Sequence, residues 1–338
     1  MPSPLDPATS TILIVGGGTW GSSTALHLAR RGYRHVTVLD AHAVPSAISA
    51  GNDINKIVEQ ASLPTPTDPA PTTVTNTLLA AAAAAWRSDP VFAPHHHPTG
   101  YILAASSPAA LAALRAREQP SPANGFAPLE SAAHFRAAMT PAVLTGALPG
   151  WRGWLKRDGA GGFFMEPDED NHELKICDEH PGYLNWTTDP KTGRMVSLPF
   201  AKNQIPLEAE RRVREFLQEC MPHLAQRPFS FARICWCADT PDRAFLITPH
   251  PEWKSLVLGV GGSGHGFMHM PIIGGYIADA MEGKLEDMMR RTWRWRPETA
   301  VGRDWKDTQG RFGGGNVVMD FQDVKENEWT TIPSNSKL

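Results

Sequence analysis

Cysteine is scarce in this chain, four residues in 338, and that scarcity excludes a disulfide scaffold. An excess of positive charge is also missing: 32 Lys and Arg stand against 35 Asp and Glu, a net charge of −3. There is thus no electrostatic reason to expect a nucleic acid or an anionic membrane as partner. Long apolar runs are absent too. The longest small-residue run, LLAAAAAAW at 78–86, falls far short of the roughly 20 apolar residues that span a bilayer, and it predicts a close-packed helix. The opening MPSPLDPATS has neither the basic start nor the apolar run of a secretory leader. These absences predict an intracellular, reduced protein that works on small molecules. At 41% apolar and 20% charged residues the composition is that of a globular protein, and the length predicts two domains.

What is present is most telling at residues 11–40, TILIVGGGTWGSSTALHLARRGYRHVTVLD. Ile12 to Val15 reads as a buried parallel strand. Gly16, Gly18 and Gly21 then give G-x-G-x-x-G: the first allows the tight turn, the second lets backbone approach a pyrophosphate, and the third allows close helix–strand packing. A helix with Ala25, Leu26, Leu28 and Ala29 on one face follows, and Gly32 ends it. The strand HVTVLD closes on Asp40, nineteen residues beyond Gly21, where an acid accepts hydrogen bonds from ribose hydroxyls. The whole is a dinucleotide-binding βαβ unit. Asp40 would repel a 2′-phosphate, which argues against NADP; NAD and FAD stay open.

Between the ends, SLPTPTDPAPTTVTN at 62–76 predicts a surface linker out of that unit. Helices are predicted at 73–87 and 107–118, with a strand at 100–105. His95, His96 and His97 lie between prolines and predict a solvated loop rather than a metal site. FFMEPDEDNHELKICDEHPGYLNW at 163–186 is rich in acids but lacks the spacing and central glycine of a calcium loop; it predicts a polar hairpin, or a strand whose end carries Glu179 into a cleft. Cys235 and Cys237 in RICWCADTPDR admit a disulfide, half a metal site, or a point of covalent attachment.

Near the end, SLVLGVGGSGHGFMHMPIIGGYIADAMEGK from 255 repeats the strand–glycine–helix plan. Gly261, Gly262, Gly264 and Gly266 form the turn and Pro271 opens the helix. Such a helix end stabilises negative charge on a reduced flavin. Ser336, Lys337 and Leu338 spell the peroxisomal S-K-L address.

GGGTWGSSTALHLARRGY with VTVLD, SAGNDINKI, FFMEPDEDNHELKICDEHPGY, FARICWCADTPDRAFLI, GGSGHGFMHMPIIGG and RWRPETAVGRDW stand in the same order as in the fungal fructosyl amino acid oxidases, or amadoriases. The chain resembles that family, itself similar to monomeric sarcosine oxidase. The resemblance implies an α/β fold: a Rossmann-like FAD-binding domain of the glutathione reductase type, residues 1–62 and 250–338, interleaved with an α+β substrate domain, 63–249, built on an antiparallel sheet. It implies a monomeric FAD-dependent oxidase that turns fructosyl amino acids and O2 into amino acid, glucosone and hydrogen peroxide. It places FAD on a thioether to Cys235, with Cys237 a bystander; a disulfide between residues so close would be strained, and two sulfurs alone are poor zinc ligation. Lys56 corresponds to the lysine that promotes reaction with oxygen, and His265, Gly262, Gly264 and Gly266 would lie beside the flavin. Glu179 and Arg303 match substrate contacts. Met268 stands where sarcosine oxidase relatives carry a lysine.

One departure stands out. Family members have roughly a hundred further residues where Gly161 here runs into Gly162, a stretch that supplies a strand of the FAD sheet. Its absence leaves two other readings: a catalytically silent binding protein with an incomplete flavin site, or an NAD-dependent dehydrogenase that keeps only the first βαβ unit. The SKL tail implies a peroxisomal import receptor as partner.

Overall fold

The computed structural model describes residues 5–58, 73–97, 102–104, 131, 133, 154–157, 162–165, 173–178, 182–302 and 319–332. The chain divides into two compact units. One comprises residues 1–63, 70–97 and 235–309; the other comprises 64–69, 98–234 and 310–338.

In the first unit, the apolar run before the first glycines forms β1 (Thr11–Val15) and the run closing on Asp40 forms β2 (His35–Leu39). They pair in parallel, Thr11 opposite His35 and Val15 opposite Leu39. Between them runs α1 (Thr19–Arg30). Of its expected apolar stripe only Leu28 is fully buried, in a cluster with Ile12, Tyr33 and Ala278; Ala25 and Leu26 are half-buried, Ala29 is exposed, and Ser23 and Thr24 are buried instead. Burying one such leucine contributes about 1.5–3 kcal/mol. The second glycine region forms β11 (Val257–Val260), antiparallel to β10 (Leu246–Pro249), and then α4 (Met270–Glu282), which ends on left-handed Gly283.

Helices α1 and α4 pack tightly because small residues let their backbones meet. A Cβ on Gly274 would stand 2.2 Å from the carbonyl carbon and oxygen of Ser23. Ser23 Oγ donates to the Met270 carbonyl at 2.5 Å and accepts from Gly274 N–H at 2.9 Å. At the other end, Arg31 pairs with Asp279 and Glu282, and the Tyr33 hydroxyl donates to Glu282.

The second unit has a four-stranded sheet in the order β3 (Ile102–Ala104), β4 (Trp154–Arg157), β5 (Gly162–Met165), β6 (Ile176–Asp178). Three strands are antiparallel as expected; β3 joins β4 in parallel, so the sheet is mixed. Gly162 opens β5, which pairs antiparallel with β4, Trp154 opposite Met165; Gly161 lies outside the described residues. Helix α3 (Leu207–Cys220) buries Val213, Phe216 and Leu217 beside Ile176 and Phe229.

The domain limits differ from those expected. The helix expected at 73–87 is α2 (Thr73–Ser88), and it belongs with the nucleotide half. Its Val74 and Leu78 share a core with Ile273, Ile277, Met289 and Trp293. Residues 235–249 join that half as well, because β10 pairs with β11. The C-terminal segment instead goes to the second unit, where β12 (Met319–Asp320) pairs in parallel with β7 (Tyr183–Leu184) and Thr330 N–H donates to the Ile205 carbonyl. The 107–118 helix lies outside the described residues.

Candidate functional site

Two glycine turns far apart in sequence come together in the first unit. In the first, Gly16 takes φ +105°, a conformation that costs glycine least. Gly16 N–H donates to the Leu39 carbonyl at 2.7 Å, which ties the turn to the end of β2. A Cβ on Gly21 would stand 1.8 Å from the Gly16 carbonyl oxygen, so the helix can start here only with glycine. Gly18 occupies the N-cap without a side-chain cap, and no acid stands in the first turn. The first amides of α1 therefore face outward with the positive end of the helix dipole.

Asp40 closes this end. One carboxylate oxygen accepts from Gly17 N–H at 2.7 Å and the other from His42 N–H at 2.9 Å. The His42 and Gly17 amides hold its carboxyl below the usual carboxylate range. It stays ionised, with lone pairs left for hydroxyl donors.

The second turn is bolted to the first. Trp20 Nε1 donates to the Gly266 carbonyl at 3.1 Å, and a Cβ on Gly266 would stand 3.0 Å from that nitrogen and 3.0 Å from Gly262 Cα. From α2, Trp86 Nε1 donates to the Met268 carbonyl at 2.7 Å. His265 Nδ1 donates to the Ser263 carbonyl at 2.9 Å, and the ring stacks on Phe245 with centroids 5.0 Å apart. His269 is 2% exposed, and its Nδ1 has no hydrogen-bond partner among the described residues. Burial, reinforced by the nearby His265, pushes its pKa down to about 3.

Lys56 is not turned to bulk solvent. Its ammonium lies 2.8 Å from Asp53 Oδ2, with the side chains 16% and 13% exposed. Cys235 and Cys237 are exposed and neither is in a disulfide, so the disulfide reading of this pair does not hold; Cys237 Sγ instead meets Asp239 Oδ1 at 3.2 Å. Among the described residues, no three His, Cys, Asp or Glu side chains gather where they could hold a metal ion. His95 ends a short 3-10 turn and His96 lies beside Trp86. Glu179, Arg303 and the SKL tail lie outside the described residues.

The sequence profile of the family described as FAD dependent oxidoreductase (DAO) matches residues 11–155 and 134–280. The chain belongs to that family. Amadoriase I of Aspergillus fumigatus, a fructosyl amine:oxygen oxidoreductase, has a similar structure, with a TM-score of 0.86 and 43% identity covering 98% of this chain and 99% of that one. Amadoriase II of Aspergillus fumigatus, a deglycating fructosamine oxidase, gives 0.81 and 37% over 98% and 99%. L-saccharopine oxidase of Schizosaccharomyces pombe is 35% identical over 138 residues, 40% of this chain. In that alignment the chain spans 30% of the relative's length.

The FAD dependent oxidoreductase fold is Rossmann-like, and the residues present fit its cofactor. The uncapped start of α1 suits a pyrophosphate, Gly18 puts no side chain in its way, Gly21 lets the helix start close against Gly16, and ionised Asp40 suits a ribose. The second turn and the start of α4 suit the ring end of FAD. What the motif did not show is how the two turns are joined: Trp20 lies inside the fingerprint, yet only the fold brings its indole to Gly266. Ser23, Trp86 and His269 were missed for the same reason.

Proposed function

We propose that this chain is an FAD-dependent oxidase of fructosyl amino acids that yields amino acid, glucosone and hydrogen peroxide. One observation carries the reading. Two glycine turns 246 residues apart are bolted together through Trp20 and Gly266, in a chain that matches amadoriase I over 98% of its length. FAD when bound supplies hydride acceptance from the carbon that joins sugar to nitrogen, and electron transfer to dioxygen.

The chain's own residues bind, orient and polarise. Gly16, Gly18, Gly21 and Asp40 hold the nucleotide, while Gly262, Gly264 and Gly266 bring backbone close to the ring. Cys235, exposed and unpaired with any other cysteine, is the covalent anchor. The Lys56 ammonium, fixed by Asp53, stabilises negative charge that develops on oxygen. His265 sits at the ring through its tie to Ser263. Glu179 and Arg303 contact the sugar and the carboxylate. The SKL tail directs the protein to the peroxisome through its import receptor, and the enzyme works as a monomer.

Peroxide release tests the reading. Fructosyl-valine and fructosyl-lysine are expected to give peroxide and amino acid in equal amounts, with sarcosine much slower. Sarcosine turnover without fructosyl turnover would reject the substrate class.

A second reading, a silent relative with an incomplete flavin site, is favoured by β1, where Leu13 and Val15 are 57% and 83% exposed. Colourless protein that takes up no added FAD would establish it. Colourless protein that binds NAD would point instead to the dehydrogenase.

A further inference from the structure

The segment after Cys235 is laced to the second glycine turn by bonds that no sequence motif announces. Ser263 N–H donates to the Ala238 carbonyl at 3.1 Å, and Ser263 Oγ accepts from Thr240 N–H at 3.3 Å. Ser263 is fully buried and holds φ +46°, a backbone state that a serine keeps only when its surroundings enforce it. A Cβ on Gly261 would stand 2.5 Å from Thr240 Cγ2. The two segments are thus in contact at Gly261 and Ser263, the start of the turn.

A buried guanidinium closes this lacing. Arg296 Nε and Nη2 grip Asp242 at 2.6 and 2.8 Å; Nη2 also donates to the Ala244 carbonyl at 2.7 Å. Nη1 donates to the carbonyls of Phe245 at 3.0 Å and Arg294 at 3.1 Å. All five N–H donors are used, and the side chain is 7% exposed. Lysine has neither the fork nor the donor count to replace it. Burial raises the Asp242 carboxyl, but the hydrogen bonds and charge of Arg296 outweigh it and hold it below its ordinary range. From Cys235 to Ala238 is three residues, a reach of at most about 11 Å. The thiol itself is exposed, and this lacing limits where it can go.

We propose that Arg296 and Asp242 are positioning residues for covalent flavin attachment, holding the Cys235 segment in register with the second glycine turn. This rests on the reading of Cys235 as the flavin anchor. Attachment joins Cys235 Sγ to the ring methyl carbon; the thiol and the methyl group each give up one hydrogen. The two protons and two electrons released pass to dioxygen, the oxidase's own acceptor, as hydrogen peroxide.

Full-length protein made without riboflavin and then mixed with FAD and air separates the steps. Fluorescence quenching gives the affinity for FAD, and flavin that stays with acid-precipitated protein gives the attachment rate. In Arg296→Lys, attachment is expected to slow by at least about tenfold, the scale of a misplaced reacting group, with FAD affinity unchanged. Equal attachment rates in wild type and variant overturn the proposal, and so does a parallel loss of affinity and rate, which marks a merely structural residue. If Arg296→Lys does not fold, Asp242→Asn is measured instead, with the same split expected and the same two results overturning it. Cys235→Ala sets the zero of attachment. Wild type that retains no flavin after acid refutes the anchor reading itself and this proposal with it.

Discussion

Lys56 and His269 are the residues at which the chemistry is most exposed to test. Lys56 has its charge held by Asp53 at 2.8 Å rather than spread into solvent. A fixed cation in a half-dry site is worth far more to a developing oxygen anion than a mobile one. Lys56→Met is therefore expected to slow reoxidation by dioxygen by about a hundredfold; reduction by substrate should change little. Stopped-flow measurement of the two half-reactions checks this. His269 works through burial. With its pKa pushed down to about 3, it is neutral in the folded protein, whereas the unfolded chain protonates it near 6.5. The unfolded state binds the extra proton between these values. Its contribution to stability is thus intact above about pH 6.5 and is lost as pH falls towards 3, by up to about 1.4 kcal/mol per pH unit. Urea unfolding between pH 7.5 and 4.5 should show that slope in the wild type and a flatter one in His269→Phe.

At the scale of elements, the α1–α4 contact sets the spacing of both glycine turns, since each helix begins at one of them. Gly274→Ala drives a Cβ into Ser23 backbone at 2.2 Å. That overpacking is expected to cost about 1–3 kcal/mol or more and to weaken FAD binding. Gly275→Ala meets only the His27 ring, at 3.2 Å, and should cost clearly less. Thermal melts with and without FAD distinguish the two. The sheet raises a different matter. Among the described residues β1 pairs only with β2, and two strands are marginal alone. Leu13 and Val15, at 57% and 83% exposure, contribute little burial. The double change to threonine is expected to alter stability by no more than about 0.5 kcal/mol. It should reduce association through the open face, as read by light scattering.

Across the whole molecule, what was legible followed from local rules. The strand, glycines, helix and acid of residues 11–40 each obey short-range geometry, and their order and pairing follow the spacing; the burial expected of β1 does not, since of its residues only Ile12 is buried. The second glycine turn was legible for the same reason. Partnership between distant segments was not. Nothing in the amphipathic pattern of α2 says that Val74 and Leu78 meet Ile273 and Trp293, so its place with the nucleotide half comes from tertiary packing. Asp242 and Arg296 lie 54 residues apart, and their pairing is a property of the fold. The pairing of β4 with β5, Trp154 opposite Met165, likewise depends on backbone register that no local pattern announces.

In the proposed reaction the joined glycine turns hold a flavin that accepts electrons from a fructosyl amine and yields them to oxygen. Anaerobic mixing of the purified full-length protein, loaded with FAD, with fructosyl-valine tests it most directly. The oxidised flavin band should bleach, then return on admission of air with one peroxide formed per flavin. Protein that binds no FAD, or whose flavin band is unmoved by the substrate, would contradict it.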